Sequence, residues 1–128
     1  MSHSISDLII RIKNGYGAQK ESITTPHSVY KEAVVKKLKE LGYVGEYSVS
    51  GEIKKEMQIE LIYKGGEGVL TDVKIYSTPG RRWYAQAAEL KPVLSGMGYS
   101  LLSTPQGIMT NIEARKKHIG GELLFAIW

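Results

Sequence analysis

The 128 residues contain no cysteine, which excludes a disulfide framework and thiolate metal sites and fits a reducing compartment. Aspartate is scarce as well. Asp7 and Asp72 are the only two, and each reads as a structural charge, one on the first turn of a helix and one on a strand surface. The three histidines, His3, His27 and His118, are scattered, and none has a partner at metal-ligand spacing. The glycine-rich stretch "KGGEG" at 64–68 lacks the Lys-Ser/Thr that completes a phosphate-binding loop. With no nucleophile and base in a recognisable arrangement, the expectation is a chain that is not an enzyme, with no catalytic residue, cofactor or metal. No apolar run approaches bilayer length. The N-terminal stretch carries Asp7, Arg11 and Lys13 where a signal peptide has an uncharged core, so the expected location is the cytoplasm.

What is present describes an ordered binding module. Apolar content of 42% and charged content of 23% are ordinary for globular chains, and this length buries roughly two thirds of the extended surface. Net charge is only +4, but it is unevenly placed. Residues 1–72 hold ten Lys/Arg against ten Asp/Glu, whereas residues 73–128 hold seven against three. The whole excess lies in the C-terminal part, the usual footprint of a surface for an anionic partner.

Hydrophobic spacing divides the chain into elements. "SISDLIIRIKNGY" places Ile5, Leu8, Ile9, Ile12 and Tyr16 on one helical face, with Ser4 as N-cap and an end near Asn14-Gly15. "ESITTP" reads as a strand stopped by Pro26. A second helix starts at Ser28 and stops at Gly42, with Tyr30, Ala33, Val34, Leu38 and Leu41 facing inward and Lys31, Lys36, Lys37 and Lys39 outward. Two antiparallel strands follow, "YVGEYSVS" and "EMQIELIY", the second alternating through Met57, Ile59, Leu61 and Tyr63. Three glycines in "KGGEG" mark the expected joint between modules, 1–66 and 67–128. Beyond it, "VLTDVKIY" and "WYA" read as strands around a Pro79-Gly80 turn, and "LKPVLSGMGY" as a short helix with Pro92 in its first turn.

The segment "LLSTPQGIMTNIEARKK", residues 101–117, concentrates the features that point to a partner. It reads as a strand, a tight turn at 104–107, a return strand, and a helix opened by the Thr110-x-x-Glu113 capping box and closed by Gly120-Gly121. Short hydroxyl and amide side chains at Ser103, Thr104 and Gln106 suit the shallow groove, 2′-hydroxyls and splayed bases of folded RNA. Arg115, Lys116 and Lys117 suit phosphates. Trp83 and Tyr84, after Arg81-Arg82, either stack on a base or fill the core, and the core is the first reading for Tyr84. Glu122 is a surface residue, an acceptor for a base, or the carboxylate that holds an arginine.

The same residues carry a family resemblance. Gly98, Leu101-Leu102, Ser103-Thr104, Gly107, Ile108-Met109, Thr110, Glu113 to Lys117, Gly120 to Glu122 and Trp128 reproduce in order the C-terminal signature of the small-subunit ribosomal protein eight family. Pro79, Gly80, Arg82 and Tyr84 resemble its Pro-Gly-x-Arg-x-Tyr segment, and Asp7, Ile10-Arg11 and Lys13-Asn14 its opening helix. The resemblance implies an α+β fold of two tightly packed modules, an N-terminal α/β module with a small sheet and a mainly β C-terminal module with short helices. It implies a structural constituent of the small ribosomal subunit, a ribonucleoprotein component of translation. Such a protein binds a central-domain stem of the small-subunit ribosomal RNA during assembly of the platform, beside neighbouring ribosomal proteins.

By the same resemblance, Ser103, Thr104, Pro105, Gln106 and Gly107 meet bases and sugars. Arg82, Tyr84 and Glu122 support that surface, and Arg115, Lys116 and Lys117 meet backbone. The chain departs from the family pattern at Pro105, where relatives carry serine, at Gln106, where they carry a basic residue, and at Ser4 to Asp7, where they enter the first helix through Asp-Pro. A stand-alone RNA-binding regulator of translation, acting on its own operon messenger, uses the same corner. A protein-interaction module would instead pair its C-terminal strand with a partner edge.

Overall fold

The computed structural model describes residues 5–128, and the chain forms two compact units, one ending at Leu70 and the other running from Thr71 to Trp128. It is a mixed α+β structure with few helices and several antiparallel sheets.

In the first unit, helix α1 (Ile5–Gly17) buries Leu8, Ile9 and Ile12 at the spacing the sequence shows. Ser4, the expected cap, lies outside the described residues. Gly15 is not the helix stop. A Cβ there would come within 2.4 Å of Ile23 Cγ2, so the glycine lets α1 settle on strand β1 (Ser22–Pro26). Helix α2 (Val29–Leu41) is capped as expected: Ser28 Oγ accepts from the Lys31 N–H at 3.0 Å, and Gly42 adopts φ 87° while the N–H groups of Gly42 and Tyr43 return to Lys39 and Leu38.

The faces of α2 differ from expectation. Lys31 is 0% exposed and shares the buried side with Val34, Val35 and Leu38, whereas Tyr30 is exposed. Positions 31, 34, 35 and 38 form the i, i+3, i+4, i+7 stripe, and a lysine occupies its first place. Its ammonium donates to Thr25 Oγ1 and the Pro26 carbonyl, both at 3.4 Å, and burial pushes its pKa down against the opposing pull of Asp7.

Strands β2 (Tyr47–Ser50) and β3 (Glu56–Glu60) complete a sheet of order β1-β3-β2. Opposed pairs Ile23–Ile59 and Thr25–Met57 form its buried face. The strand read through Tyr63 ends at Glu60, although the alternation of burial continues through Met57, Ile59 and Leu61. Tyr63–Lys64 (β4) and Glu67–Gly68 (β5) are a separate hairpin closed by Gly65 and Gly66 at φ 62° and 82°, the two positive values that a type I′ turn requires. The glycines of "KGGEG" thus serve a defined turn inside the first unit.

The second unit is a five-stranded antiparallel sheet: β6 (Val73–Ile75), β7 (Tyr84–Ala85), β8 (Tyr99–Thr104), β9 (Gly107–Thr110) and β10 (Gly121–Ile127). β10 is central, with β8 along one side and β6 and β7 along the other. Helix α3 (Asn111–Lys116) opens on the Thr110–Glu113 capping box. It ends earlier than Gly120: His118 enters the left-handed region at φ 58°, and the Ile119 N–H returns to Ala114. The helix expected over 90–98 does not form. Two 3-10 turns, Ala87–Glu89 and Leu94–Gly96, are separated by a stretch in which Leu90 and Val93 are extended, and Leu94 and Ser95 take positive φ that no α-helix contains.

A carboxylate network ties α2 to the first sheet. His27 Nε2 lies 2.7 Å from Glu32 Oε1, and the Tyr47 hydroxyl donates to Oε2 at 2.9 Å. These hydrogen bonds, that of His27 foremost, hold the Glu32 carboxyl below its ordinary 4.5. A depressed carboxyl pKa contributes stability that is fully present above the unfolded value and is lost as pH falls through the folded one. Glu32→Gln should therefore lower the melting temperature at neutral pH, and its gap from the parent should close on acidification. A gap constant across the acid range would show that this carboxylate carries no pH-dependent stability.

Candidate nucleic-acid interface

The register of the second sheet sets three expected site residues in one line. Glu122 of β10 lies opposite Tyr84 of β7 on one side and opposite Ser103 of β8 on the other, and Ser103 in turn opposes Ile108 of β9. Residues directly opposed in antiparallel strands project from the same face, so Tyr84, Glu122, Ser103 and Ile108 form a row across the sheet. Leu102, Leu123, Met109 and Ala85, one position on, project from the other face. There Leu102 and Met109 pack with Leu90 and Ala114 in a small core.

Two glycines permit this row. A Cβ on Gly121 would fall 2.3 Å from the Ser103 carbonyl oxygen, and one on Gly120 would fall 2.6 Å from that of Ala85. β10 therefore enters between β7 and β8 only as bare backbone. In sequence the pair reads as a helix stop, and its packing role has no local signal. Ser77 shapes the site as well. That hydroxyl, buried, donates to the Leu123 carbonyl at 2.7 Å and accepts from the Trp83 N–H at 2.9 Å, fastening the 77–83 loop to β10. No local signal distinguishes Ser77 from any turn serine.

Tyr84 is 72% exposed, so the core reading for it is corrected: β7 has only two paired residues, and the ring stays open to solvent. Glu122 holds an arginine. Arg82 Nη1 lies 3.4 Å and 3.5 Å from its two carboxylate oxygens, with the guanidinium side largely open to solvent and the carboxylate mostly covered. So open an ion pair adds little stability; its effect is to orient a cation and a carboxylate beside an exposed ring. Trp83, on the opposite side of the strand from Tyr84, lies between the Arg81 guanidinium at 5.5 Å and the Tyr76 ring at 5.9 Å.

The two hydroxyls at the corner differ in role. Thr104 Oγ1 donates to the Gly107 carbonyl at 2.8 Å and accepts from the Gln106 N–H at 3.1 Å, so it organises the turn. Pro105 supplies the fixed φ of the turn's first corner position, and Gly107 takes φ 108°. The Ser103 hydroxyl makes no hydrogen bond among the described residues and projects beside Glu122, free for a ligand. Arg115, Lys116 and Lys117 are not gathered into the row. Their helix packs through Ala114 on the other face of the sheet, where Arg115 Nη1 donates to the Leu90 carbonyl at 2.9 Å.

The sequence model of the family described as Ribosomal protein S8 matches residues 3–128. The chain belongs to that family. The small ribosomal subunit protein uS8 of Mycoplasmopsis synoviae is 44% identical over 130 aligned positions that span all of this chain and 98% of the relative. That of Colwellia psychrerythraea is 44% identical, covering 97% and 96% of the two chains, and that of Dictyoglomus turgidum 43%, covering 97% and 95%. The S8 family is one of structural ribosomal proteins, which matches the expected role as a ribosomal constituent. Among the described residues of this S8-family chain, no helix is long and apolar enough to cross a membrane.

Because β10 reaches β8 only as bare backbone, Gly121→Ala should destabilise the fold by about 2 kcal/mol, the usual cost of forcing a methyl into a filled site. Thr104→Val, nearly isosteric, should cost about 1 kcal/mol through the loss of two turn hydrogen bonds. Thermal denaturation reads both. An unchanged midpoint for Gly121→Ala would mean that β10 does not approach β8 as closely as the structure shows.

Proposed function

We propose that the second unit of this chain binds a stem of the small-subunit ribosomal RNA, in the central domain, and so helps to assemble the platform of the subunit. The observation that carries the reading is the row on the sheet: an exposed ring at Tyr84, the Arg82–Glu122 pair, and a Ser103 hydroxyl without a protein partner, all on one face beside the turn at 104–107. Each has a use in RNA recognition. Tyr84 stacks on an unpaired base, Ser103 bonds a base edge or a 2′-hydroxyl, Glu122 accepts from a base amino group, and Arg82 meets phosphate. Pro105, Gln106 and Gly107 offer backbone and amide groups of a turn that Thr104 has already fixed. Lys116 and Lys117, with Arg115, add positive charge along the path of the flanking RNA.

Membership in the ribosomal S8 family supports the subunit as the setting, with ribosomal RNA and neighbouring ribosomal proteins as partners. No feature of the row favours a messenger stem over the ribosomal one. Pro105 and Gln106 leave the turn without its own cation, so affinity rests on shape and stacking more than on charge.

Ser103→Ala should weaken binding to central-domain RNA by about 1 kcal/mol without shifting the melting temperature, since its hydroxyl bonds to no other group among the described residues. Tyr84→Ala should cost about 1–3 kcal/mol, the usual worth of a base stacked on a ring. Neutralising about four phosphates gives a log-log salt slope of roughly −3 to −4. Titration at two salt concentrations, against an unrelated stem, measures all three. Equal affinity for both stems, unaltered by either substitution, would reduce the row to a solvated surface.

A further inference from the structure

The face of the second sheet away from the Tyr84–Ser103 row holds a cleft that RNA binding by that row does not use. Lys74 of β6 lies opposite Ala126 of β10, and Ala126 lies opposite Ser100 of β8, so the three project from one face. Ser100 stands two residues before Leu102 on the same strand, which puts that face on the side of the small core. Residues 89–94 and Trp128 supply much of the remaining lining. The cleft measures about 400 Å³, within the usual range of small-molecule sites.

Its walls are fixed from within the protein. Asn111, buried at the start of α3, donates from Nδ2 to the Lys91 carbonyl at 3.0 Å, and the Arg115 guanidinium donates to the Leu90 carbonyl at 2.9 Å, so the loop is held at two points. Gly98 admits Trp128: a Cβ there would fall 2.7 Å from Trp128 Cβ and 3.0 Å from Val93 Cγ1. The backbone of Trp128 is tied in both directions. Its carbonyl accepts from the Thr71 N–H at 2.8 Å, and its own N–H donates to the Asp72 carbonyl at 3.2 Å. The cleft is therefore built before a ligand arrives.

Its polar groups are uncommitted. Ser100 is 6% exposed, and its hydroxyl makes no hydrogen bond among the described residues. No side-chain oxygen shut off from solvent lacks a partner there, so this one opens into the cleft that the residue lines. A nearly buried hydroxyl without a partner is costly in the protein alone, and a ligand atom would satisfy it. Lys74 and Lys91 are exposed and form no ion pair among the described residues, and Lys74 Nζ is steadied 5.2 Å from the centre of the Tyr76 ring. Glu89 is the one carboxylate in the lining, and one of its oxygens accepts from the Gln86 N–H at 2.7 Å. This set complements a nucleotide: the base stacks on the Trp128 indole, an exocyclic amino group donates to Glu89, and the phosphate accepts from the lysines. A terminal phosphate carries about −1.5 to −2 at neutral pH, a charge that two lysines match and a phosphodiester lacks. We propose that this cleft binds a free nucleoside monophosphate, independently of the RNA-binding row on the opposite face.

Trp83→Phe leaves Trp128 as the one tryptophan of the full chain, so indole fluorescence then reports on the cleft alone. Adenosine monophosphate should change that fluorescence saturably. Lys74→Gln and Lys91→Gln, both at exposed positions, should each weaken its binding at least threefold, and Ser100→Ala at least twofold without lowering the melting temperature. Adenosine, which lacks the phosphate, should bind at least tenfold more weakly. A flat titration up to millimolar adenosine monophosphate, in a chain that circular dichroism shows to be folded, would overturn the proposal. So would unchanged affinity in the double lysine variant, displacement by inorganic phosphate at equal concentration, or tighter binding of a single-stranded hexaribonucleotide. None of these readings uses the ribosomal stem, so the outcome of the RNA titration leaves them untouched.

Discussion

The approach of β10 to its two neighbours is the constraint on which the second unit depends. A strand can be paired on both sides wherever hydrogen bonding permits, but here the carbonyls of Ala85 and Ser103 come so near the start of β10 that neither Gly121 nor the preceding Gly120 has room for a methyl group. Only after that entry does Glu122 find Tyr84 on one side and Ser103 on the other. Because the three positions lie on adjacent strands, their spacing is set by the ladder itself and not by the rotamers of long side chains. Ser77 extends the same frame outward: its side-chain bonds to Leu123 and Trp83 add to the backbone bonds that Tyr76, Ser77 and Trp83 make with β10, and together they fasten the loop carrying Arg81 and Arg82 to the sheet.

That frame explains how a chain with modest charge can present a selective surface. A ligand that meets a flexible arginine-rich segment must order it, at a cost of about 0.5–1.5 kcal/mol for each immobilised side chain. On the proposed reading, the groups that would face the RNA are a serine with one rotor, a tyrosine on a strand and a carboxylate already beside its arginine. Thr104 has its hydrogen committed to Gly107, and Pro105 has a fixed φ, so the turn also arrives ordered. Low charge and a stiff site are consistent with one another, since little of the affinity has to come from counterion release.

Features that depend on neighbours in the chain were legible in the sequence, and features that depend on neighbours in space were not. The Ser28 cap, the Gly42 stop and the Thr110–Glu113 box are each written within four or five residues, and each appears in the structure. The row itself was legible only as a resemblance; spacing alone placed Ser103 and Thr104 at a corner and gave no sign that one hydroxyl is spent on the turn and the other left open. Lys31 was misread because a lysine on a helix is ordinarily outward, and its burial follows from the acceptors that β1 happens to place at Thr25 and Pro26. Tyr84 was misread for the converse reason, as its strand is too short to be roofed. The stretch 90–98 has helical composition and a tolerable proline, yet Asn111 and Arg115, twenty and twenty-five residues away from their acceptors, bind its carbonyls and hold it in another shape.

Those last two contacts also divide the basic run at the end of α3. Arg115 belongs to a run of three cations that looks uniform in sequence, but its guanidinium is engaged with Leu90 while Lys116 remains exposed. Arg115 therefore acts first as a structural clasp, and removing it would disturb the loop before it changed any ligand's electrostatics. Lys117 caps the helix end, where its N–H returns to Glu113 and its side chain is exposed. The cluster divides into one residue that shapes the surface and two that charge it.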